Sequence, residues 1–140
     1  MRRCPPLDVN SAYAYSLLGF SFRETCVVAE DSSNLVGLCS GYRQPDDPET
    51  LFVWQVAVDA SARGHGLGGR MLEQAFSGSG CRRIQTTISP SNTASRRLFR
   101  RFAESRGMVL RETTFLPAYQ TEAGLHEEEN LISLTPGRDA

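Results

Sequence analysis

A glycine-rich segment follows a long apolar run in the middle of the chain. The run at residues 51–58 reads Leu-Phe-Val-Trp-Gln-Val-Ala-Val, and the glycine-rich segment is Arg63-Gly64-His65-Gly66-Leu67-Gly68-Gly69. A helix that begins here would direct its first backbone N–H groups and the positive end of its dipole at one place, and glycine lets an anion approach that backbone closely. The segment therefore predicts a loop that binds a pyrophosphate, with an ordinary tight turn as the alternative.

Three kinds of anion-binding loop could account for these glycines. A nucleoside-triphosphate loop requires Gly-Lys-Ser or Gly-Lys-Thr, and all 15 basic residues of this chain are arginines. The spacing of the glycines also fits the dinucleotide fingerprint G-x-G-x-x-G, but Arg82 and Arg83 stand about twenty residues later, where an acidic ligand for the ribose is expected. The third kind has the pattern R-x-x-G-x-G, and residues 63–68 match it.

Hydrophobic periodicity and turn residues predict an α/β fold around this loop. Helices are predicted at residues 7–19, from residue 67 to residue 76, and from residue 93 up to Gly107; strands are predicted at 25–30, 35–42, 51–58, 84–89, 111–116 and 130–134. The strand at 51–58 is nearly continuous in apolar character, as expected for a central strand covered on both faces. The segment between the last two strands is polar and is predicted to be a loop.

The two later helices have clear apolar faces. The first should bury Leu67, Met71, Leu72, Ala75 and Phe76. The second should bury Ala94, Leu98 and Phe102, and it should expose Arg96, Arg97, Arg100 and Arg101 to solvent.

Length and composition exclude several classes of protein. The chain has 140 residues, 40% of them hydrophobic and 22% charged, which fits one domain over residues 1–140. A net charge of -1 gives no overall attraction to phosphate backbones, so no nucleic-acid partner is expected. No apolar run is long enough to span a bilayer and the first residues lack a signal-peptide core, so we expect a cytoplasmic protein without a membrane partner.

The cysteines do not form a metal-binding pattern. None of them is part of a C-x-x-C pair, and only two histidines could join them as ligands. We therefore expect no metal and no disulfide framework, but reduced thiols at Cys4, Cys26, Cys39 and Cys81.

Motifs within and beyond the glycine loop resemble a known enzyme family. Residues 63–68 resemble the acetyl-CoA loop of the GNAT acetyltransferases, and Asn92-Thr93-Ala94 resembles the start of the next motif of that superfamily. Residues 4–15, 25–30, 51–58 and 86–95, which include Pro-Leu-Asp-Val-Asn-Ser and Phe-Val-Trp-Gln-Val-Ala-Val, resemble the L-2,4-diaminobutyric acid acetyltransferases of ectoine biosynthesis. The similarity extends from about residue 4 to residue 134.

The resemblance implies a fold and an activity. The fold would be a single-domain GNAT fold, in which helices flank a mixed central sheet, without the first strand that the family usually has. The activity would be acetyl transfer from acetyl-CoA, as co-substrate, to the γ-amine of L-2,4-diaminobutyrate by a homodimer. The alternatives are a GNAT enzyme for another small diamine or amino acid, and a non-catalytic module that binds acetyl-CoA.

The resemblance also implies roles for individual residues. Acetyl-CoA would be bound by Val56, Val58, Arg63, Gly64, Gly66, Leu67, Gly68 and Asn92. The backbone N–H of Val56 would donate to the thioester oxygen as that oxygen gains charge. Glu129 or His126 would accept the proton of the amine. Diaminobutyrate would be held by Asp8, Tyr13, Trp54 and Glu129.

The same residues have plainer interpretations when the resemblance is set aside. Asp8 could cap a helix, Tyr13 and Trp54 could be core residues, and Glu129 could belong to a solvated acidic turn. Two positions also depart from the family. Gln85 stands where glutamate is expected, and Phe99 stands where many GNAT enzymes have the tyrosine that protonates the leaving thiolate.

Overall fold

The computed structural model describes residues 1, 4, 7 and 9–137. Their backbone contacts divide the chain into an N-terminal unit, Met1–Arg82, and a C-terminal unit, Arg83–Ala140. Each unit contains its own helices and strands, and each is described below by itself. The prediction of one domain over residues 1–140 stays a prediction.

The N-terminal unit is built on three antiparallel strands. Strand β1 pairs with β2, and β2 pairs with β3. A tight hairpin joins β1 to β2, with Asp31 opposite Asn34 and with Ser32 in the left-handed region at φ 58°. The elements of this unit are helix α1 (Ala12–Ser21), β1 (Val27–Asp31), β2 (Asn34–Gln44), β3 (Asp47–Val58) and helix α2 (Leu67–Ser79), with short 3₁₀ turns at Arg23–Thr25 and Ala60–Ala62.

Strand β3 contains one extra residue, relative to β2, in the middle of their ladder. Ser40 pairs with Gln55, but the next residue, Gly41, pairs with Val53, so Trp54 has no partner across the ladder. Such a β-bulge redirects the side chain of the extra residue. Trp54 is 44% exposed, so the prediction that this strand is covered on both faces is wrong at this residue.

Helix α2 supplies the main apolar contact to the strands of the N-terminal unit. Its residues Met71, Leu72, Ala75 and Phe76 are buried, as predicted, whereas Leu67 is only half-buried. The helix lies close to β2, because a Cβ atom at Gly37 would stand 2.8 Å from Sδ of Met71. Glycine at this position therefore permits the close approach of helix and strand.

Helix α1 begins later than predicted. Its N-cap is Ser11, whose hydroxyl oxygen accepts a hydrogen bond from the backbone N–H of Ala14 at 3.1 Å, and the described residues before it are not helical. Within the helix only Leu18 is fully buried, and Tyr13 is 72% exposed. The core interpretation of Tyr13 is therefore wrong, since the helix presents that side chain to solvent.

The C-terminal unit contains a second group of antiparallel strands. Strand β8 pairs with β4 on one side and with β5 on the other, so Ile132 lies opposite both Thr86 and Glu112. The segment predicted to be a polar loop contains a two-stranded hairpin instead. The elements are β4 (Arg83–Ile88), helix α3 (Thr93–Ser105), β5 (Met108–Leu116), β6 (Tyr119–Thr121), β7 (Gly124–His126) and β8 (Glu129–Pro136).

Helix α3 buries a face one residue away from the predicted one. Phe99, Phe102 and Ala103 are buried, whereas Ala94 is exposed and Leu98 is half-buried. The prediction failed at Ala94 because this residue lies in the first turn, outside the packed part of the helix. On the opposite face the three arginines Arg97, Arg100 and Arg101 are exposed, as predicted.

Arg96 departs from the predicted solvent-exposed face, because it forms an ion pair with β5. Its Nη2 lies 2.7 Å from Oε2 of Glu112, and Oε1 of Glu112 accepts a hydrogen bond from Asn130 at 2.9 Å. The hydrogen bond from Arg96 is the main reason that the pKa of Glu112 lies below its ordinary value of 4.5. The pair therefore fastens α3 to the strands that it covers.

The cysteine side chains are free thiols. Burial raises the pKa of Cys39 to about 12, and the neighbouring Cys26 adds to this shift. A thiol with such a pKa is almost never a thiolate at neutral pH, and the thiolate is the reactive form. In the part of the chain that the structure describes, no set of side chains could hold a metal ion, and no helix has the length and apolar character needed to cross a membrane.

We expect Glu112→Gln to lower the free energy of unfolding by about 1 kcal/mol at pH 7, because it removes the charged partner of Arg96. A carboxyl group with a lowered pKa stabilises the fold above its ordinary value of 4.5 and loses this contribution as the pH falls through the lowered pKa. The difference between wild type and variant should therefore shrink as the pH falls below 4.5. Urea unfolding at several pH values measures it.

Glu104→Gln is the matched control, since Glu104 is an exposed carboxylate on the same helix. It should leave the stability within about 0.5 kcal/mol of wild type. A Glu112→Gln deficit that stays constant from pH 7 to pH 3 would show that the ion pair is not its cause.

Candidate functional site

The glycine-rich segment forms the N-terminus of α2. Gly66 is the N-cap residue, with φ 70° in the left-handed region, and Gly64 has φ 81°. Among the described residues, no side chain caps this helix, although the first N–H groups of a helix have no partner within the helix. A Cβ atom at Gly64 or Gly66 would meet no atom of the described part of the chain within 4 Å, so both glycines border open space there. The predicted anion-binding geometry is present.

Arg63 connects this loop to the end of β3. Its Nε donates a hydrogen bond to the carbonyl oxygen of Val58 at 3.1 Å, and the thiol of Cys4 lies 3.4 Å from the same oxygen. The carbonyl of Val58 is thus already engaged within the chain, and any contact of Val58 with a ligand would use its N–H group or its half-buried side chain.

The bulged part of β3 carries two predicted site residues. Trp54 is the extra residue of the bulge. Val56 lies two residues after it, is half-buried and pairs with Cys39 of β2. Gln55 lies between them with its side chain buried. A bulge at this place interrupts the regular ladder and can leave backbone groups for a ligand.

The segment before α1 is fastened to the same strand. The side-chain amide of Asn10 donates to Oε1 of Gln55 at 3.1 Å, and its backbone N–H donates to the hydroxyl of Tyr15 at 3.3 Å. These bonds hold the start of α1, and with it the exposed Tyr13, to the N-terminal unit. Asp8 lies outside the described residues.

Two glutamates of the C-terminal unit are held by serines. Ser89 donates from its hydroxyl to Oε1 of Glu129 at 2.8 Å. Ser91 donates from its backbone N–H to Oε1 of Glu127 at 2.9 Å and from its hydroxyl to Oε2 at 2.5 Å. The interpretation of Glu129 as part of a merely solvated turn is therefore wrong, because Glu129 is half-buried and hydrogen-bonded, whereas Glu127 is exposed.

His126 is oriented by its neighbours in the hairpin. Its ring stacks on Tyr119, with 4.7 Å between ring centroids, and Nδ1 lies 2.6 Å from the carbonyl oxygen of Glu127. Because a carbonyl only accepts hydrogen bonds, Nδ1 carries the proton in this contact and Nε2 is the acceptor of a neutral ring. His126 and Glu129 both remain candidates for accepting a proton.

Asn92 and Phe99 both have structural roles in α3. The Oδ1 atom of Asn92 accepts from the backbone N–H of Ser95 at 3.1 Å, so this residue is the N-cap of the helix. Phe99 is buried, and it offers no hydroxyl group for protonating a thiolate. Gln85, the other departure from the expected pattern, is half-buried on β4.

Comparison with known proteins places this geometry in a family. A model of the acetyltransferase (GNAT) family matches residues 2–103. The L-2,4-diaminobutyric acid acetyltransferase of Chromohalobacter salexigens is 44% identical, over 97% of this chain and 72% of that protein. The enzyme of the same name from Halomonas elongata is 42% identical, with the same coverage. The chain belongs to the L-2,4-diaminobutyric acid acetyltransferases of the GNAT family.

A solved structure of the same family agrees with this assignment. The diaminobutyrate acetyltransferase from Paenibacillus lautus, in complex with its substrate L-2,4-diaminobutyric acid and coenzyme A, matches with a TM-score of 0.88. It is 44% identical, and the match covers 93% of this chain and 81% of that one. The predicted GNAT fold and the predicted acetyltransferase class are confirmed. The roles of individual residues stay predictions.

Sequence reasoning missed the residues that hold the predicted ones in place. Ser89, Ser91 and Glu127 were not singled out, although residues 86–95 resemble the family and His126 and Glu129 were assigned roles. A strand register that places residue 89 opposite residue 129 would have predicted the contacts between these serines and glutamates. That register cannot be read from the sequence, because the two segments are far apart along the chain. Gln55 was missed because it lies in an apolar run.

We expect Gly66→Ala to weaken coenzyme A binding at least tenfold, because a side chain at φ 70° strains the loop and its Cβ projects into the open space beside the helix N-terminus. Isothermal calorimetry with coenzyme A measures the affinity. Thermal melting should show a loss of roughly 1 kcal/mol.

Gly80→Ala is the matched control at the other end of α2. Gly80 has φ 69°, and a Cβ atom there would also meet nothing within 4 Å. This variant should lose a similar amount of stability and keep the wild-type affinity for coenzyme A. Equal losses of affinity in the two variants would mean that strain in α2, and not the loop itself, controls binding.

Proposed function

We propose that this chain transfers the acetyl group of acetyl-CoA to the γ-amine of L-2,4-diaminobutyrate, which gives N4-acetyl-L-2,4-diaminobutyrate for ectoine biosynthesis. The main support is identity of 42–44% to relatives named for this activity, over 97% of the chain. A second support is the Paenibacillus lautus enzyme, which binds both the diamine and coenzyme A.

The proposed acetyl-CoA contacts begin at the glycine loop. The uncapped N–H groups of α2, from Leu67 and Gly68 onwards, would bind the pyrophosphate, and the positive φ angles of Gly64 and Gly66 keep side chains out of its way. Arg63 adds a positive charge at the start of the loop. Uncapped amides bordering open space are the feature that an anion needs, so these residues fit the co-substrate.

The bulged strand is proposed to bind the thioester and pantetheine part of acetyl-CoA. The N–H of Val56 would donate to the carbonyl oxygen of the thioester, where a donor stabilises developing negative charge. Val58 would contact the pantetheine amides, and Asn92 would add a polar contact with its side-chain amide. Acetyl-CoA supplies an activated acetyl group whose thiolate leaves easily.

The proposed diamine contacts follow from charge. Diaminobutyrate carries two ammonium groups and one carboxylate, so selectivity requires fixed carboxylates in the enzyme. Asp8 and Glu129 are proposed as these partners. The exposed hydroxyl of Tyr13 and the exposed ring of Trp54 are proposed as further contacts, since neither side chain is used by the core. An aromatic face also attracts a cation.

The ammonium group must lose one proton before its nitrogen can attack the thioester. A primary amine with a pKa of about 10.4 is almost fully protonated at pH 7, and deprotonation costs about 4–5 kcal/mol. The second ammonium of the substrate lowers this cost, and Glu129 or Nε2 of His126 would receive the proton. The amine nitrogen then bonds to the acetyl carbon, the carbon–sulfur bond breaks with its electron pair leaving on the thiolate, and the second proton of the nitrogen goes to that thiolate.

Phe99 is compatible with this reaction. A thiol resembling cysteine has a pKa of about 8.5, so its departure as a thiolate at pH 7.5 costs only about 1.4 kcal/mol. The enzyme can therefore work without the tyrosine that many GNAT enzymes have at this position.

We also propose a cytoplasmic homodimer. The free thiols, one of them with a strongly raised pKa, suit a reducing compartment. In the C-terminal unit, large apolar side chains are exposed along β5 to β7, and exposed apolar surface of this kind often marks an interface. These side chains are Val109, Phe115, Leu116, Tyr119 and Leu125.

The activity is tested with the purified chain, acetyl-CoA and a panel of amines, by following release of the coenzyme A thiol. L-2,4-Diaminobutyrate should have the highest kcat/KM, and the product should carry its acetyl group on the γ-nitrogen by NMR. Faster acetylation of ornithine or lysine would replace the proposed substrate. Coenzyme A binding without turnover of any amine would favour a binding module.

The dimer is tested by light scattering after gel filtration. The wild type should have twice the 15.5 kDa mass of the chain, and the double variant Phe115→Ser, Leu125→Ser should be monomeric with an unchanged circular dichroism spectrum. Phe20→Ser is the control, because it removes an equally exposed aromatic side chain from the N-terminal unit and should leave the dimer intact. A monomeric wild type, or a dimeric double variant, would contradict the proposed interface.

A further inference from the structure

The antiparallel ladder between β4 and β8 continues as side-chain pairs beyond its last backbone pair. The last pair is Ile88 with Asn130. In the same register, Ser89 then lies opposite Glu129, and Ser91 lies opposite Glu127. Both pairs are joined by hydrogen bonds, at 2.8 Å in the first and at 2.9 Å and 2.5 Å in the second.

The two pairs differ in how many carboxylate oxygens the serine binds. Ser91 binds both carboxylate oxygens of the exposed Glu127, so that carboxylate is engaged at each oxygen. Ser89 binds only Oε1 of the half-buried Glu129. A carboxylate has two acceptor oxygens, so Oε2 of Glu129 remains for an ammonium group.

The backbone of Glu129 is already fixed, because it pairs with Leu116 in the ladder between β5 and β8. The remaining freedom lies in the side-chain torsions, of which a glutamate has three. A hydrogen bond from a short side chain such as serine restricts these torsions, because the hydroxyl has only one torsion of its own. The hydroxyl of Ser89 therefore determines where Oε2 points.

We propose that Ser89 is a positioning residue for the acetyl transfer, which holds Glu129 in the rotamer that receives the ammonium of the diamine. The inference rests on the proposed function of Glu129, and it assigns to Ser89 no contact with either substrate. Holding a reacting group in place before the substrate arrives can change a rate by one to two orders of magnitude, since small misplacements are costly.

The test compares Ser89→Ala, Ser89→Thr and Ser91→Ala in the full chain. Ser89→Ala should lower kcat/KM for diaminobutyrate roughly tenfold. Its affinity for coenzyme A by calorimetry should stay within twofold of wild type, and its melting temperature should change by less than about 2 °C. Ser89→Thr, which keeps the hydroxyl, should recover most of the activity. Ser91→Ala should keep kcat/KM for diaminobutyrate within twofold.

A second comparison separates positioning from general disturbance of the strand end. In an enzyme that already carries Glu129→Gln, adding Ser89→Ala should reduce activity by less than twofold, because the carboxylate that it positions is gone. A full tenfold loss in that background, or equal losses in Ser89→Ala and Ser91→Ala, would overturn the proposal. Wild-type kinetics in Ser89→Ala would overturn it as well.

The failure of this inference is distinguishable from that of the proposed function. If the wild type acetylates diaminobutyrate and Ser89→Ala does so equally well, the proposed function stands and Ser89 has only a structural role. If the wild type acetylates another amine and not diaminobutyrate, the proposed function fails. In that case the same variants, assayed on that other amine, decide whether Ser89 positions Glu129.

Discussion

The bulge at Trp54 determines which residues of β3 face which side of the N-terminal sheet. Residues paired across a ladder point to the same face, and the α2 face of β2 is marked by Gly37, which lies beside Met71. Gly37 pairs with Val58, so Val58 points to the α2 face. Without the extra residue, Leu51 and Val53 could not point to the same face as Val56 and Val58.

The consequence is a change in the alternation of the strand. Before the bulge, the odd-numbered residues Leu51 and Val53 point to the α2 face. Beyond the bulge, the even-numbered residues Val56 and Val58 point to that face. Gln55 is thereby placed on the opposite face, where Asn10 binds it. One inserted residue thus exposes Trp54 and provides the anchor for the segment before α1.

Local features of this fold were predictable, and pairings between distant segments were not. The buried face of α2 follows from spacing within a few residues, and four of its five predicted residues are buried. The position of the glycines at the start of α2 follows from the same local spacing. The start of α1 was misplaced because Pro-Pro-Leu-Asp offers one capping candidate and Ser11 another, and only the hydrogen bond to Ala14 decides between them. The strands β6 and β7 have only three residues each, which is too short for an alternating pattern to reveal them.

The candidate site shows the same division. Trp54 and Glu129 were identified through motifs, but their surroundings depend on strand register. The surroundings of Trp54 depend on the register shift in β3, and those of Glu129 depend on the hydrogen bond from Ser89, 40 residues away. The sequence also could not show which arginine of α3 forms an ion pair and which are exposed to solvent. Arg96 and Arg97 are neighbours in sequence, yet one binds Glu112 and the other is exposed.

The hydrogen bond from Arg63 to the carbonyl oxygen of Val58 lowers the entropic cost of binding a ligand at the glycine loop. A loop that orders only when its ligand arrives loses conformational entropy at that moment, and this loss weakens the affinity. Here the first residue of the loop is tied to the strand end, and the loop leads directly into a helix on its other side. The loop therefore loses its conformational entropy when the protein folds and not when the ligand binds. The favourable free energy of the ligand contacts is then not offset by the cost of ordering the loop.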